Sequence, residues 1–378
     1  MEVAAPRRIS LFHTRTPSQS AHPSLMSQVT VVKFSQEEEL LWAGEVEKER
    51  EGGREKEREN APFRPRPPAL NLSPSIPLPS PLLLLGTASG ALIGVAIPSL
   101  DMHCSVRLHP APIVGLAPLG AAVLALSPVG ATVHSPGGLH AAVIPAPGDP
   151  DLADLSCCAL EPGAAGRVVA GRAGGGLVSI DAGTGAAAQT AGGAESGVSA
   201  LASGPRGLLA AGTPAGRLLL IDPRSGWRAV ADVACHPGPL TALAWSRELV
   251  ASAGCAPGAG PGSDPQVRVW DVRAIGPARS ASAAATPPMP RPLPGLHWAP
   301  RPSAGIAFHP ASPGTLLLAS GRGAVSLADA GAGVPGRIIP VDTGGAALTA
   351  CDISRTGELA ALASDGGYVH LWAAGGGG

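Results

Sequence analysis

The sequence predicts an all-β fold: a seven-bladed β-propeller, a ring of small antiparallel sheets. Three observations predict it. One unit recurs about every 41 to 44 residues, the period of a propeller blade. Its order is a short apolar strand, a turn, a second strand ending in small residues, a Gly-containing turn, and a third strand often ending in Asp. The glycines, 51 in all, sit between short runs of Leu, Val, Ile and Ala, as in many-turned β structure. Runs such as "LLLI" and "TLLLA" do not alternate with polar residues. A strand of that kind is covered on both faces, as in a blade wedged between two others.

The units follow in order. The first is "VTVVKFSQEEELLWAG", residues 29–44, resumed at "GTASGALIGVAI", residues 86–97. On this reading "LLWAG" is its second strand and "GTASG" the displaced turn. The second, an eroded copy, is "IVGLAPLGAAVLALSPVGATVHSP", residues 113–136. The third, "LSCCALEPGAAGRVVAGRAGGGLVSIDAGTG", covers 155–185, and the fourth, "VSALASGPRGLLAAGTPAGRLLLIDPRSG", covers 198–226. The fifth and clearest, 240–274, contains "LTALAWSRELVASAGC" and "DPQVRVWDVRA". The sixth is "SAGIAFHPASPGTLLLASGRGAVSLADA", 303–330, and the seventh "LTACDISRTGELAALASDGGYVHLWAAG", 348–375. The seventh has no fourth strand of its own after Trp372. The stretch "RISLFH", residues 8–13, is a candidate to supply it and close the ring.

The domain reading is therefore a disordered N-terminal arm (1–28), a propeller (29–375) and a short tail (376–378). A disordered insertion at 45–85 interrupts the propeller. Its charged half, "EVEKEREGGREKEREN", and its Pro-rich half, "APFRPRPPALNLSPSIPLPSP", cannot bury a core. Closing so long a loop costs only about 2 kcal/mol more than a tight turn. A retained intron in the gene would read the same way. Two further links are irregular: "CAPGAGPGSDP", 255–265, within the fifth unit, and the Pro-rich 280–300 after it. Both read as surface loops.

Composition excludes some classes. A net charge of −1 and a pI near 6.8 exclude a broadly basic nucleic-acid binder and an acidic tail protein. Six cysteines form no C-x-x-C pair and several lie in apolar runs. They read as core residues of a protein in a reducing compartment rather than as a metal or disulfide framework. Residues 1–28 are Arg- and Ser-rich with Glu2 as the one acid, a weak transit-peptide pattern. Residues 82–100 are uncharged and about long enough to span a bilayer. "GTASG" and Pro98 favour two strands around a turn instead.

Chemistry-bearing motifs are missing: no Walker A loop, H-E-x-x-H, nucleophile elbow or clustered Cys/His spacing. The expectation is a non-enzyme with no catalytic residues, metal or cofactor. Asp181, Asp222, Asp271 and Asp329 end third strands, where a carboxylate caps a turn by accepting backbone amides. His109 in "HPAPIV" and His236 in "HPGPLT" precede first strands and read as structural hydrogen-bonding groups in blade-connecting loops. "WDVR", Trp270 to Arg273, is the one near-complete WD40 signature, with a partial echo in "IDPR", 221–224. Its plain reading is a strand end with its turn. Its sharper reading is the motif by which WD40 substrate receptors dock onto cullin–RING ubiquitin ligases. Trp270, Asp271, Arg273 and His236 are thus the candidate interaction or structural signature residues.

From Val29 to Trp372 the chain resembles the N-terminal WD40 propeller of the catalytic subunit of the Pan poly(A)-nuclease complex, which shortens mRNA tails. The resemblance rests on stretches in matching order. They are "VKFSQEEELLWAG" with "TASG", "DLSCCAL" with "VVAGRAGGGLVSIDAGTG", "AGTPAGRLLLIDPRSG", "LVASAGCAP" with "DPQVRVWDVR", "RPLPGLHWAPRPSAGIAFHP" and "ISRTGELAALASDGGYVHLW". The insertion is not part of that pattern. The family's partner-binding linker, ubiquitin-hydrolase-like domain and exonuclease are not in this sequence, so no catalytic residue carries over. The resemblance implies a cytoplasmic and P-body scaffold in poly(A) shortening. Its partners would be the pseudokinase subunit and poly(A) ribonucleoprotein, with no base-specific nucleic-acid contact and no membrane. The alternatives are the cullin–RING receptor and a general propeller adaptor.

Overall fold

A computed structural model describes residues 7–10, 29–34, 82–97, 102–120, 122–134, 141–144, 152–190, 196–255, 267–274, 291–292, 305–321, 323–332, 336, 338–341, 343 and 345–373. They form seven four-stranded antiparallel sheets. The first strand in the chain is β1 (Arg7–Ser10). Blade 1 is β2 (Val29–Phe34), β3 (Leu82–Thr87), β4 (Ala91–Ala96) and β5 (Met102–Arg107). Blade 2 is β6 (Gly115–Leu119), β7 (Ala122–Ser127), β8 (Gly130–His134) and β9 (Ala141–Ile144). Blade 3 is β10 (Leu155–Leu160), β11 (Arg167–Arg172), β12 (Leu177–Asp181) and β13 (Ala187–Gln189). Blade 4 is β14 (Ala200–Ser203), β15 (Leu209–Gly212), β16 (Arg217–Asp222) and β17 (Arg228–Ala234). Blade 5 is β18 (Leu240–Ser246), β19 (Leu249–Gly254), β20 (Arg268–Asp271) and β21 (Arg291–Pro292). Blade 6 is β22 (Gly305–Phe308), β23 (Thr315–Ser320), β24 (Ala324–Asp329) and β25 (Ile338–Pro340). Blade 7 is β26 (Leu348–Ile353), β27 (Leu359–Ser364) and β28 (Tyr368–Ala373), with β1 as its outer strand.

The first strands touch in a closed cycle, β2 to β6, β10, β14, β18, β22, β26 and back to β2. They are therefore the inner strands around a common axis. The middle strands carry the core: Leu82–Leu85, Val168–Ala170, Leu209–Ala211 and Leu316–Ala319 are all buried. Their side chains fill clusters that each join two adjacent blades. This is the physical reason their sequences fail to alternate: each face meets a neighbouring sheet.

Hydroxyls at the start of the inner strands fasten one blade to the next. Thr30, Ser156, Thr241 and Thr349 each sit in a register shift between first and second strand, and Ser199 immediately precedes β14. Thr30 Oγ1 lies 3.1 Å from Gly86 O in its own blade and 2.6 Å from Ile113 O at the start of blade 2. Ser199 Oγ lies 3.2 Å from Gly212 O and 2.6 Å from Leu240 O, which opens blade 5. Ser156 reaches Val198 O in the same way. At Thr30 and Ser156 the bulge leaves its residue out of the ladder and the side chain links two sheets instead, whereas Thr241 and Thr349 donate to Ala253 O and Ala363 O of their own blades.

The turn between second and third strands holds the incoming loop of the next blade. Gly216 (φ 74°) ends one such turn, and its carbonyl accepts from Cys235 N and His236 N at 2.9 and 3.0 Å. Gly90 (φ 80°) does the same for Leu108 N and His109 N. A β-carbon at either glycine would fall onto the carbonyl of the histidine, so both the left-handed backbone and the close approach require Gly.

Three sequence expectations change. The second strand of blade 1 is β3, residues 82–87, not "LLWAG", which lies outside the described residues. The boundary of the insertion expected at Leu85 therefore falls inside a strand, and the long connection runs between β2 and β3. The physical reason is contiguity. "LLLLGT" leads straight into its own turn, closed by Thr87 Oγ1 bonded to Ala91 N at 2.9 Å, whereas "LLWAG" would need a loop of some forty residues to reach it. The expected ring-closing strand is present: Arg7–Ser10 pairs from Arg7↔Leu371 to Ser10↔Tyr368, and residues 11–13 of the expected stretch lie outside the described residues. The Pro-rich link 280–300 contains the short outer strand β21; proline suits an outer edge because it has no amide to leave unpaired. The expected disorder of 1–28 and 45–85 falls largely, and the tail 376–378 wholly, outside the described residues. The pair of strands expected around "GTASG" is β3 and β4.

All six cysteines are free. Burial pushes the thiols of Cys157, Cys158, Cys235 and Cys351 up to about 12, which disfavours the thiolate at neutral pH.

A candidate interaction face

The four predicted signature residues separate into two groups. His236 and Trp270 are buried and meet through Ser252, which is buried on β19. The Trp270 indole N–H donates to Ser252 Oγ at 3.1 Å, and His236 Nε2 shares a hydrogen bond with the same oxygen at 2.9 Å. The hydroxyl thus ties the third strand, the second strand and the incoming loop of blade 5 together. His109 plays the matching part in blade 2. Its Nε2 lies 3.1 Å from Thr132 Oγ1 on β8, and burial pushes its pKa below the ordinary histidine value. Both histidines hydrogen-bond to hydroxyls inside the fold. His134 on β8 is buried with neither ring nitrogen hydrogen-bonded, and burial likewise favours its neutral form.

Asp271 and Arg273 lie apart from that network, at the solvent end of β20. Arg273 folds back onto Asp271: its amide donates to Oδ1 at 2.9 Å, Nε to Oδ1 at 3.0 Å and Nη2 to Oδ2 at 2.6 Å. The partial echo one blade earlier has the same geometry. Arg224 donates to Asp222 from its amide (2.9 Å), Nε (3.1 Å) and Nη2 (3.2 Å). These bonds hold both carboxyls below the usual range. Asp181 and Asp329 cap their turns too, through Gly183 N, Thr184 N and Ala332 N. The turn-capping role of all four aspartates is therefore general; the arginine fork belongs to blades 4 and 5.

The two forks share one face of the ring with the turns between first and second strands. Trp245, at the end of β18, lays its ring against Gly204 of blade 4 and donates Nε1–H to Arg247 O at 3.0 Å. Arg206 in the blade 4 turn pairs with Glu248 in the blade 5 turn. Arg206, Trp227 and Arg247 all take left-handed backbone (φ 66°, 64° and 49°), a conformation that side chains other than glycine's disfavour. Sequence reasoning singled out the two motifs but not the bonding between their arginines and aspartates, and it missed Ser252, Arg206, Glu248 and Trp245. The signal was present in part: residues 206 and 248 occupy the same turn one blade period apart.

Among the described residues no group of three or more His, Cys, Asp or Glu could hold a metal ion. No helix among them is long and apolar enough to cross a membrane.

No protein-family model matches the chain, and no curated protein matches it. Solved structures do. The WD40 domain of Neurospora crassa Pan2 aligns with a TM-score of 0.62 and 17% identity, over 78% of this chain and 86% of that one. The computationally designed protein Ika8 aligns with a TM-score of 0.52 and 16% identity, over 78% and 80%. The chain has the WD40 propeller fold. At these identities the likeness speaks for the fold alone.

Proposed function

We propose that this chain is a non-catalytic scaffold of a Pan-type deadenylation assembly. On this reading it acts in the cytoplasm, P-bodies included, by contacts with a pseudokinase partner subunit on poly(A) ribonucleoprotein. The observation that carries the reading is collinearity. The stretches that resemble the Pan catalytic subunit's propeller run in that family's order through blades 1 and 3 to 7, and one of the similar solved domains is itself a Pan2 propeller. The test is reconstitution with the purified pseudokinase subunit, followed by incubation with poly(A) RNA and Mg²⁺. The expected result is co-elution and no shortening of the tail by this chain alone. Separate elution of the two proteins, or tail shortening by this chain, would overturn it.

A second reading, a cullin–RING substrate receptor, is favoured by one observation: Arg273 is fixed and exposed at the end of β20, with 64% of its side chain accessible. It predicts that Arg273→Ala abolishes binding to the ligase adaptor. Equal binding by variant and parent removes it.

A further inference from the structure

We propose that the face of blades 4 and 5 that carries the two forks binds an acidic, extended peptide segment of a protein partner. The inference rests on the scaffold reading and gives it a place and a chemistry. Arg206, Arg224, Arg228, Arg247 and Arg273 all lie on this face and are all exposed. Asp222, Glu248 and Asp271 offset three of those charges, which leaves a surplus of two positive charges. The half-buried tryptophans, Trp227 and Trp245, lie on the same face, whereas Trp270 and Trp372 are fully buried. Arg and Trp are the side chains over-represented where interfaces concentrate their binding energy.

The forks prepare the arginines for a carboxylate. Each guanidinium carries five N–H donors and commits Nε–H and one Nη2–H to its own aspartate, leaving three for a ligand. The aspartate also fixes the guanidinium plane, so less side-chain entropy is lost when a second carboxylate arrives. Arg206 and Glu248 bridge the seam between the forks, and Arg224 lies against Gly207 in the same turn. A bound segment would therefore meet donors on both sides of the blade boundary. RNA fits less well. A surplus of two charges among the described residues releases few counterions.

The experiment uses the full chain and three fluorescent probes: a Glu-rich peptide with one Phe, the same peptide with Gln for Glu, and a 20-nucleotide oligoadenylate. The Glu peptide should bind at least tenfold more tightly than the Gln peptide and weaken as salt rises. The R224E/R273E double variant should lose at least tenfold in affinity, and the milder R224Q/R273Q somewhat less. R217E, on β16 away from this face, should stay within twofold. Thermal melts of every variant check that the ring is intact. Equal binding of the two peptides, unchanged affinity in both double variants, or fork-dependent binding of oligoadenylate in preference to the peptide would each overturn the proposal. None of these outcomes bears on co-elution with the pseudokinase subunit, so the two readings fail separately.

Discussion

Blades 5 and 7 each end their third strand with a buried tryptophan, and the two solve the same problem differently. Trp270 and Trp372 are 4% and 5% exposed. Trp270 has its N–H bonded to Ser252, and Ser252 in turn holds His236. Trp372 Nε1 has no hydrogen-bond partner. The position across from it explains why. Ser252 pairs with Arg268 on the third strand of blade 5, and the matching partner of His370 in blade 7 is Leu362. Blade 7 therefore keeps the apolar contact and gives up the bond. Its incoming loop is held from another direction, by Asp365 Oδ1 accepting Ala347 N at 2.8 Å while Ala347 O accepts Asp365 N at 2.9 Å. The pair teaches that burial places the indole, whereas the hydrogen bond serves to lock a loop, and a different turn can do that job.

Substitutions can break the comparison. The largest effect is expected from Leu362→Ser, which gives Trp372 a hydroxyl but removes a fully buried leucine. Loss of packing, about 2–4 kcal/mol, should outweigh a bond worth about 1 kcal/mol. A denaturant midpoint that rises instead would show that the orphan indole, not packing, limits blade 7. Next comes Ser252→Ala, which strips one partner from both Trp270 and His236 and should cost about 1–3 kcal/mol. Trp270→Phe should cost more than Trp372→Phe, by about 1 kcal/mol, because only the first breaks a bond; equal shifts in urea melts would refute the distinction. Arg273→Ala should be smallest, within about 0.5 kcal/mol, since an exposed pair is screened by solvent.

Titration sharpens a second contrast, between the core of blade 2 and the seam where the ring closes. Burial lowers the pKa of His109 and His134 in the fold. The unfolded chain then binds more protons, so stability should fall as pH drops below about 6.5 and continue falling until the folded values are passed. Lys33 behaves oppositely. Its ammonium lies 3.1 Å from Asp352 Oδ1, and that carboxylate raises its pKa. The contribution is complete below the unfolded value of about 10.4 and is lost as pH rises through the folded one. With 41% of the Lys33 side chain exposed, the alkaline loss should be modest. Melts of H109Q and K33M across pH should flatten the acid and alkaline limbs respectively.

Much of this was legible because a propeller repeats. Seven recurrences of strand, turn and small residue outweigh the ambiguity of any single copy, and the aspartates that end third strands announced their turns by position alone. Two kinds of feature were not legible. Where the chain offers two candidate strands, as "LLWAG" and "LLLLGT" do in blade 1, local pattern cannot choose; the turn that follows decides. Long-range contacts, such as Ser252 with the incoming loop's His236 in blade 5 or Arg206 with Glu248 across blades 4 and 5, depend on which loops the ring brings together. The role of "WDVR" was half legible. Its tryptophan is a core residue and its arginine a surface one, though the letters sit side by side.

The ring closes at one seam, where β1 completes blade 7 and Asp352 on the innermost strand of that blade accepts both Lys33 Nζ and Phe34 N from β2. These contacts join residues more than three hundred positions apart, so they belong among the last that a growing chain can make. A nascent chain emerging from the ribosome would be a crescent with a greasy flank at each tip until its final blade is released. The span before that clasp is the time when it most needs a chaperone.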